Sequence, residues 1–262
     1  MREKRWQRKT REGRERKARQ QELRAAAGDS VMLYGWHTVS AALKNPARRI
    51  RKLYTTENAL RRLAEEGITP PVTPDVVRSA ELAARLMPDA VHQGLIAEAD
   101  PLPSFGIDDV PAQGVVLVLD QITDPHNVGA ILRTAAAFAV TAVVTSARHS
   151  PEATGVLAKS ASGALELTPI AIVQNLARAL ATLKARGFLV VGLNSDAADD
   201  LAAIKLRAPL ALVLGAEGKG LRQLTGATCD ALARLDVPGA IKSLNVSNAA
   251  ALALYIATRA VA

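Results

Sequence analysis

Short apolar runs alternate with helix-like segments through the second half of the chain. From Val115 onward, VVLVLD, TAVVTS, LELTPIAIV, FLVVGLN, LALVLG and ARLDVP read as strands. Helical stretches separate them, among them Asn175 to Arg186, one from Leu221, and an alanine-rich terminal helix. Strands that are apolar at successive positions are buried on both faces, so this order predicts a parallel sheet covered by helices on each side. Residues 31–100 predict a second, smaller α/β domain. There VMLYGWHTVSAALKN suggests a turn and then a helix, IRKLYTT a strand, and NALRRLAEEG a helix closed by Gly67. PVTPDVVRSAELAARLM adds a strand and one or two short helices, and HQGLIAEA a last strand. Residues 101–114 are rich in Pro, Gly and Asp and read as a linker between the two domains, with residues 115–262 forming the second.

Charge changes this picture at one end. Residues 1–30 carry 11 Lys/Arg against 5 Asp/Glu, whereas the rest carries 22 against 20, so the excess lies in the arm. The arm has almost no core-forming residue besides Trp6 and Leu23, which predicts disorder. A basic arm on a near-neutral body points to a polyanion such as RNA. Lys44, Arg48, Arg49, Arg51 and Lys52 form a second basic cluster able to hold phosphates. The single cysteine, Cys229, excludes a disulfide framework within the chain and reads as a small buried residue. No apolar run reaches the roughly 20 residues that span a membrane, and no secretory signal is present. These features predict a cytoplasmic protein with no membrane partner.

Three polar or glycine-rich turns each follow an apolar strand, and such turns assemble at the carboxyl edge of a parallel sheet. They are DPHNVGAILRTA (Asp124 to Ala135), LGAEGKGL (Leu214 to Leu221) and PGAIKSLNVSNAA (Pro238 to Ala250). Ser243 and Asn245 precede an apolar helix and can cap it, face a site, or do both. Asp124-Pro125 is a helix start, and Gly129 lies one turn before Arg133, which suggests a clear path for the guanidinium. His126 titrates in a useful range but reads as a supporting residue. Gly215, Gly218 and Gly220 allow close backbone approach to a ligand, and their spacing is neither the dinucleotide fingerprint nor a phosphate loop.

Together the three stretches resemble the SpoU/TrmH family of RNA ribose 2′-O-methyltransferases, within the SPOUT superfamily. Asn127, Gly129 and Arg133 correspond to its first motif. Gly215, Glu217, Gly218, Gly220 and Leu221 correspond to the second, and Ser243 to Ser247 to the third. The resemblance implies a deep trefoil knot that brings the first and third turns together. It also implies a homodimer built across the site. It places S-adenosylmethionine against Leu193, Asn194, Gly215, Gly218, Val237 and Leu244. It assigns the chemistry to Arg133, Asn127, Glu217, Ser243 and Asn245, with no metal. Arginine stays protonated in proteins, so Arg133 is better suited to orienting phosphate and ribose than to taking the proton. LYGWHTVSAAL and HQGLIAE resemble the ribosomal-protein-like substrate-binding domain that precedes many such catalytic domains. This layout implies a guanosine of 23S rRNA as substrate. A tRNA substrate, or a non-catalytic RNA-binding or ribosome-assembly protein of the same fold, are the alternatives. The spacing of the glycines disfavours a nucleotide-dependent metabolic enzyme.

Overall fold

The computed structural model describes residues 30–88, 90–103, 105–147, 155–241 and 243–261. The basic arm up to residue 29 lies outside them. The chain divides into two compact units, Met1–Leu102 and Pro103–Ala262. Among the described residues no helix is long and apolar enough to cross a membrane.

In the first unit, β1 (Val31–Tyr34), α1 (Trp36–Lys44), β2 (Ile50–Thr55), α2 (Glu57–Glu65), β3 (Asp75–Val76), α3 (Ser79–Ala84) and β4 (Leu95–Ala99) follow in order. The sheet order is β1-β4-β2-β3, with β4 antiparallel to β1 and β2 and β3 parallel to β2. VMLY forms a strand where the sequence suggested a turn. Its backbone pairs with β4 from Val31 opposite Ala99 to Tyr34 opposite Ile96, and only Gly35, at φ 89°, makes the turn. Leu33, Leu53, Leu63, Leu82, Leu95 and Ile96 are fully buried and form the core. Thr56 caps α2 by accepting from the Ala59 N–H at 3.3 Å. Gly94 passes directly over that cap. It sits at φ +83°, its carbonyl accepts from the Thr56 N–H, and a Cβ there would lie 2.6 Å from Thr56 Oγ1 and 2.9 Å from Ala59 Cβ. His92 and Gln93 serve this same turn, as their position suggested. His92 Nδ1 accepts from Gly94 N–H, and Gln93 Oε1 from Trp36 N–H, each at 3.0 Å.

The second unit runs β5 (Val115–Asp120), α4 (Pro125–Ala137), β6 (Ala142–Ser146), α5 (Gly155–Ala161), β7 (Ile170–Val173), α6 (Leu176–Ala185), β8 (Leu189–Leu193), β9 (Asp199–Asp200), β10 (Leu210–Gly215), α7 (Gln223–Thr228), β11 (Ala231–Arg234) and α8 (Val246–Val261). Every pairing in the sheet β7-β6-β5-β10-β8-β11-β9 is parallel. All six residues of β5 are buried, as an unbroken apolar strand requires. Helix α4 packs against α5 and α8, and α6 packs against α7.

Three expectations change here. LELTPIAIV is not one strand: Ala164–Glu166 is a 3-10 turn and β7 begins only at Ile170. Pro169 has no N–H to give the ladder, so pairing starts after it. The ARLDVP strand is shifted, because pairing with β8 and β9 ends at Arg234. Residues 103–114 are not a free linker. Val110 is completely buried with the sheet core, Phe105 bridges to Ala171, and Arg186 Nη1 donates to the Ile107 carbonyl at 2.8 Å. The Pro and Gly residues shape turns in this segment while its apolar side chains bury. Gly94→Ala is expected to lower the stability of the first unit by about 2 kcal/mol, through backbone strain and overpacking. A lower urea midpoint in the fluorescence of buried Trp36 would show it.

Candidate active site

Because the sheet is parallel, the turns after β5, β8, β10 and β11 leave from one edge. Asp120 and Gly215, the last residues of β5 and β10, stand opposite each other in register. The first turn leads into α4, where Asp124 caps by accepting from His126 N–H at 3.0 Å and Pro125 occupies the first turn of the helix. This places Asn127 at the mouth of the edge. The second turn folds back on itself. Gly220 N–H donates to the Ala216 carbonyl at 2.8 Å, with Gly218 and Gly220 at φ +74° and +63°. A Cβ on Gly215 would lie 2.2 Å from the Gly220 carbonyl carbon, so only glycine permits this fold-back.

The third turn ends at Asn245, which caps α8. Its Oδ1 accepts from the Ser247 N–H at 2.9 Å and the Ser247 hydroxyl at 2.6 Å. Its Nδ2 donates to Asn127 Oδ1 at 3.1 Å and, more weakly, to Glu217 Oε2 at 3.4 Å. One side chain therefore joins all three turns, across 118 residues in the case of Asn127.

Beside this junction lies a cavity of about 500 Å³. Leu193, Asn194, Gly215, Gly218, Val237 and Leu244, the six positions assigned to a cofactor, all line it, as do Glu217 and Ser243. Ser195, Asp196, Lys219 and Arg234 also line it and were not singled out by their sequence pattern. Arg133 is not brought to it. The side chain is exposed on α4 and forms no hydrogen bond or ion pair among the described residues. Gly129 does not clear a path for Arg133. A Cβ at 129 would sit 2.4 Å from Ser160 Cβ and 2.8 Å from the Ala161 nitrogen, so the glycine exists for the crossing of α4 and α5. His126 supports the same crossing, with Nδ1 3.2 Å from Ser160 Oγ.

The SpoU rRNA Methylase family model matches residues 114–255. The chain belongs to the SpoU rRNA methylase family. Residues 32–105 of this SpoU chain match a second family, RNA 2′-O ribose methyltransferase substrate binding. A Pseudomonas putida protein named 23S rRNA (guanosine-2′-O-)-methyltransferase RlmB is 37% identical over 241 residues, covering 87% of this chain and 95% of its own. Its namesake from Pseudomonas aeruginosa is 39% identical over 237 residues, covering 85% and 94%. Among solved structures, a TrmH-family protein from Porphyromonas gingivalis superposes with a TM-score of 0.77 at 26% identity, covering 90% of this chain and 95% of that one. An AdoMet-bound rRNA methyltransferase from Sinorhizobium meliloti has the same fold, with a TM-score of 0.77 at 22% identity and coverage of 91% and 93%.

The basic cluster within residues 32–105 is less open than its sequence suggested. Arg48 is buried, and its Nη1 donates to the Asp100 carbonyl at 2.9 Å, so its charge is used inside the unit. The cause is Asp100, at the end of β4, which also ion-pairs with Arg51 and lies 3.8 Å from Arg49 Nε. Lys44 and Lys52 are exposed, and Arg49 is 84% exposed. Lys44 and Lys52 remain open to a polyanion, and Arg49 is held only by its looser contact with Asp100.

Sequence reasoning missed the pair that braces the second turn. Asp120 is fully buried and accepts from Arg222 N–H at 3.0 Å and Arg222 Nε at 2.7 Å. The signal was available, since Asp120 is the one charge in the strand VVLVLD. Cys229, expected to be buried, is half-buried against the sheet core, and this burial pushes its thiol up to about 11. Asp120→Ala would strand the Arg222 guanidinium and free the segment after Leu221. It is expected to cost roughly 2 kcal/mol, a figure discounted because Arg222 is partly exposed. Thermal denaturation of the variant against the parent measures this.

Proposed function

We propose that this protein methylates a ribose 2′-hydroxyl of RNA, a guanosine of 23S rRNA, using S-adenosylmethionine. The observation that carries the reading is Asn245, which joins Asn127 and Glu217 beside the cavity formed by the second and third turns. The RlmB relatives support the substrate, because their similarity runs through both units of the chain. The tRNA-modifying SpoU structure from A. aeolicus covers only 56% of this chain, which favours the ribosomal reading.

The cavity fits the cofactor. Its volume of about 500 Å³ falls within the roughly 300–1,000 Å³ typical of small-molecule sites. Leu193, Val237 and Leu244 offer apolar surface to an adenine, and the bare Cα of Gly215 lets backbone approach closely. Asn194, Ser195 and Asp196 offer polar partners to ribose and amino-acid groups. When bound, S-adenosylmethionine supplies an electrophilic sulfonium methyl. Asn245 holds the three turns in register, so that Ser243 and Glu217 face the cavity together. Arg133 holds the RNA phosphate and ribose and stabilises the negative charge that develops on the 2′-oxygen.

Arg133 is exposed and does not line its own cavity, and this supports a homodimer in which one copy's arginine serves the other's cavity. Leu252 and Tyr255 on α8 are 45% and 52% exposed, an apolar surface suited to such an interface. The trefoil knot belongs to the same proposal, and the meeting of Asn245 with Asn127 and Glu217 just before α8 is a contact it would require. An rRNA substrate makes the protein cytoplasmic, and the basic arm and the exposed cations Lys44, Arg49 and Lys52 hold the RNA backbone.

The test is incubation with labelled S-adenosylmethionine and either 23S rRNA or tRNA transcripts, followed by mapping of alkali-resistant 2′-O-methyl sites. Transfer to a 23S guanosine is expected, and no transfer to either RNA refutes the reading. Arg133→Ala is expected to abolish transfer while RNA binding is largely retained. Wild-type turnover in that variant would overturn the role of the arginine. Removing residues 1–30 is expected to weaken RNA binding and flatten its salt dependence, by about 0.7–0.9 in log–log slope for each phosphate that the arm neutralises. Titration of affinity against salt for both chains reads this out.

A further inference from the structure

A second cavity, of about 410 Å³, opens among Ser146, Gln174, Asn175, Arg222, Leu224 and Thr225. It belongs to the same carboxyl edge of the large sheet. Ser146 ends β6, Gln174 and Asn175 make the turn from β7 into α6, and Arg222 and Leu224 follow the glycine-rich loop. Among the described residues it shares no lining residue with the first cavity. Yet Arg222 directly follows Leu221, which lines the first, so the two sites flank one short segment.

The unused hydrogen-bonding groups here point to a ligand. Arg222 is fixed on one side, its N–H and Nε both held by the buried carboxylate of Asp120. Its terminal amino groups make no hydrogen bond among the described residues, and its side chain is 41% exposed. A guanidinium held this way loses little further freedom when it takes an anion. Gln174 is exposed and its amide forms no hydrogen bond among the described residues. Asn175 uses Oδ1 to accept from Arg178 N–H at 3.0 Å, capping α6, which leaves its NH2 group unbonded there. Leu224 is 65% exposed, a large apolar side chain at the rim of a polar cavity. No acidic side chain lines the cavity among the described residues. A preorganised cation, two open amides and an exposed apolar surface match phosphate, base edge and ring face in turn.

We propose that this cavity takes a nucleotide flanking the one that is methylated, with its phosphate on Arg222 and its base against Leu224 and the amides of Gln174 and Asn175. The inference rests on the RNA methyltransferase reading above. It makes the cavity a determinant of which RNA sequence is accepted, because amide groups can distinguish base edges whereas phosphate contacts cannot.

The test uses the full chain and a 23S rRNA transcript, with the variants Gln174→Glu and Leu224→Ala, both at exposed side chains. Each is expected to raise the Kd for the transcript about tenfold, the size of effect that a single base interaction carries. The Kd for S-adenosylmethionine is expected to stay at the parent value, which shows that the first cavity and the fold are intact. A Kd for the transcript within about twofold of the parent in both variants overturns the proposal. Methyl transfer by the unmodified chain separates the two readings. If transfer occurs and both variants bind normally, only the second site is wrong. If transfer is absent, the function is wrong, and the binding comparison still judges the cavity.

Discussion

A single side-chain amide holds the candidate site together. The oxygen of Asn245 accepts from two groups of Ser247 and starts α8, while its nitrogen reaches Asn127 and Glu217. Capping and site assembly are the same act. The helix can begin only where the third turn meets the other two, so the packing of α8 on α4 and the shape of the cavity depend on one another. An exposed hydrogen bond contributes about 1 kcal/mol, too little to position a helix by itself. The bonds of Asn245 choose one arrangement among those that the buried faces of α4 and α8 already allow.

Two backbone constraints make that arrangement possible. Gly215 and Gly129 are each needed because another chain segment occupies the place of a Cβ, the fold-back of the loop in one case and α5 in the other. The Asp120–Arg222 pair then anchors the segment after the loop to the end of β5. A buried carboxylate with both oxygens accepting from one residue is poorly tolerated without that residue, and the loop is thereby tied to the sheet. The same pair sets an arginine at the boundary between two cavities.

Charge is distributed with a similar division of labour. In the first unit Asp100 holds Arg48 inside and pairs closely with Arg51 and loosely with exposed Arg49, whereas Lys44 and Lys52 are left to solvent. A run of basic residues in a sequence thus overstates the surface available to RNA, because one acidic residue from a distant strand can consume part of it.

Much of this protein was legible one residue at a time. Apolar strands such as VVLVLD announced a parallel sheet, because consecutive buried positions leave no polar face. The motif residues resembled a known family, and family membership follows from matches over both regions of the chain. Local rules failed where partners lay far away. VMLY became a strand because β4 offered it a ladder, and residues 103–114 joined the second unit because Val110 found a core to enter. The roles of Gly129, Arg48 and Asp120 were likewise set by Ser160, Asp100 and Arg222. The order of amino acids determined most of the strands and helices and which turns carry polar groups, since these depend mainly on neighbours within a few residues; VMLY and LELTPIAIV were the exceptions. Only the tertiary structure decided which of those groups meet, because contacts at separations such as the 118 residues between Asn127 and Asn245 arise from packing.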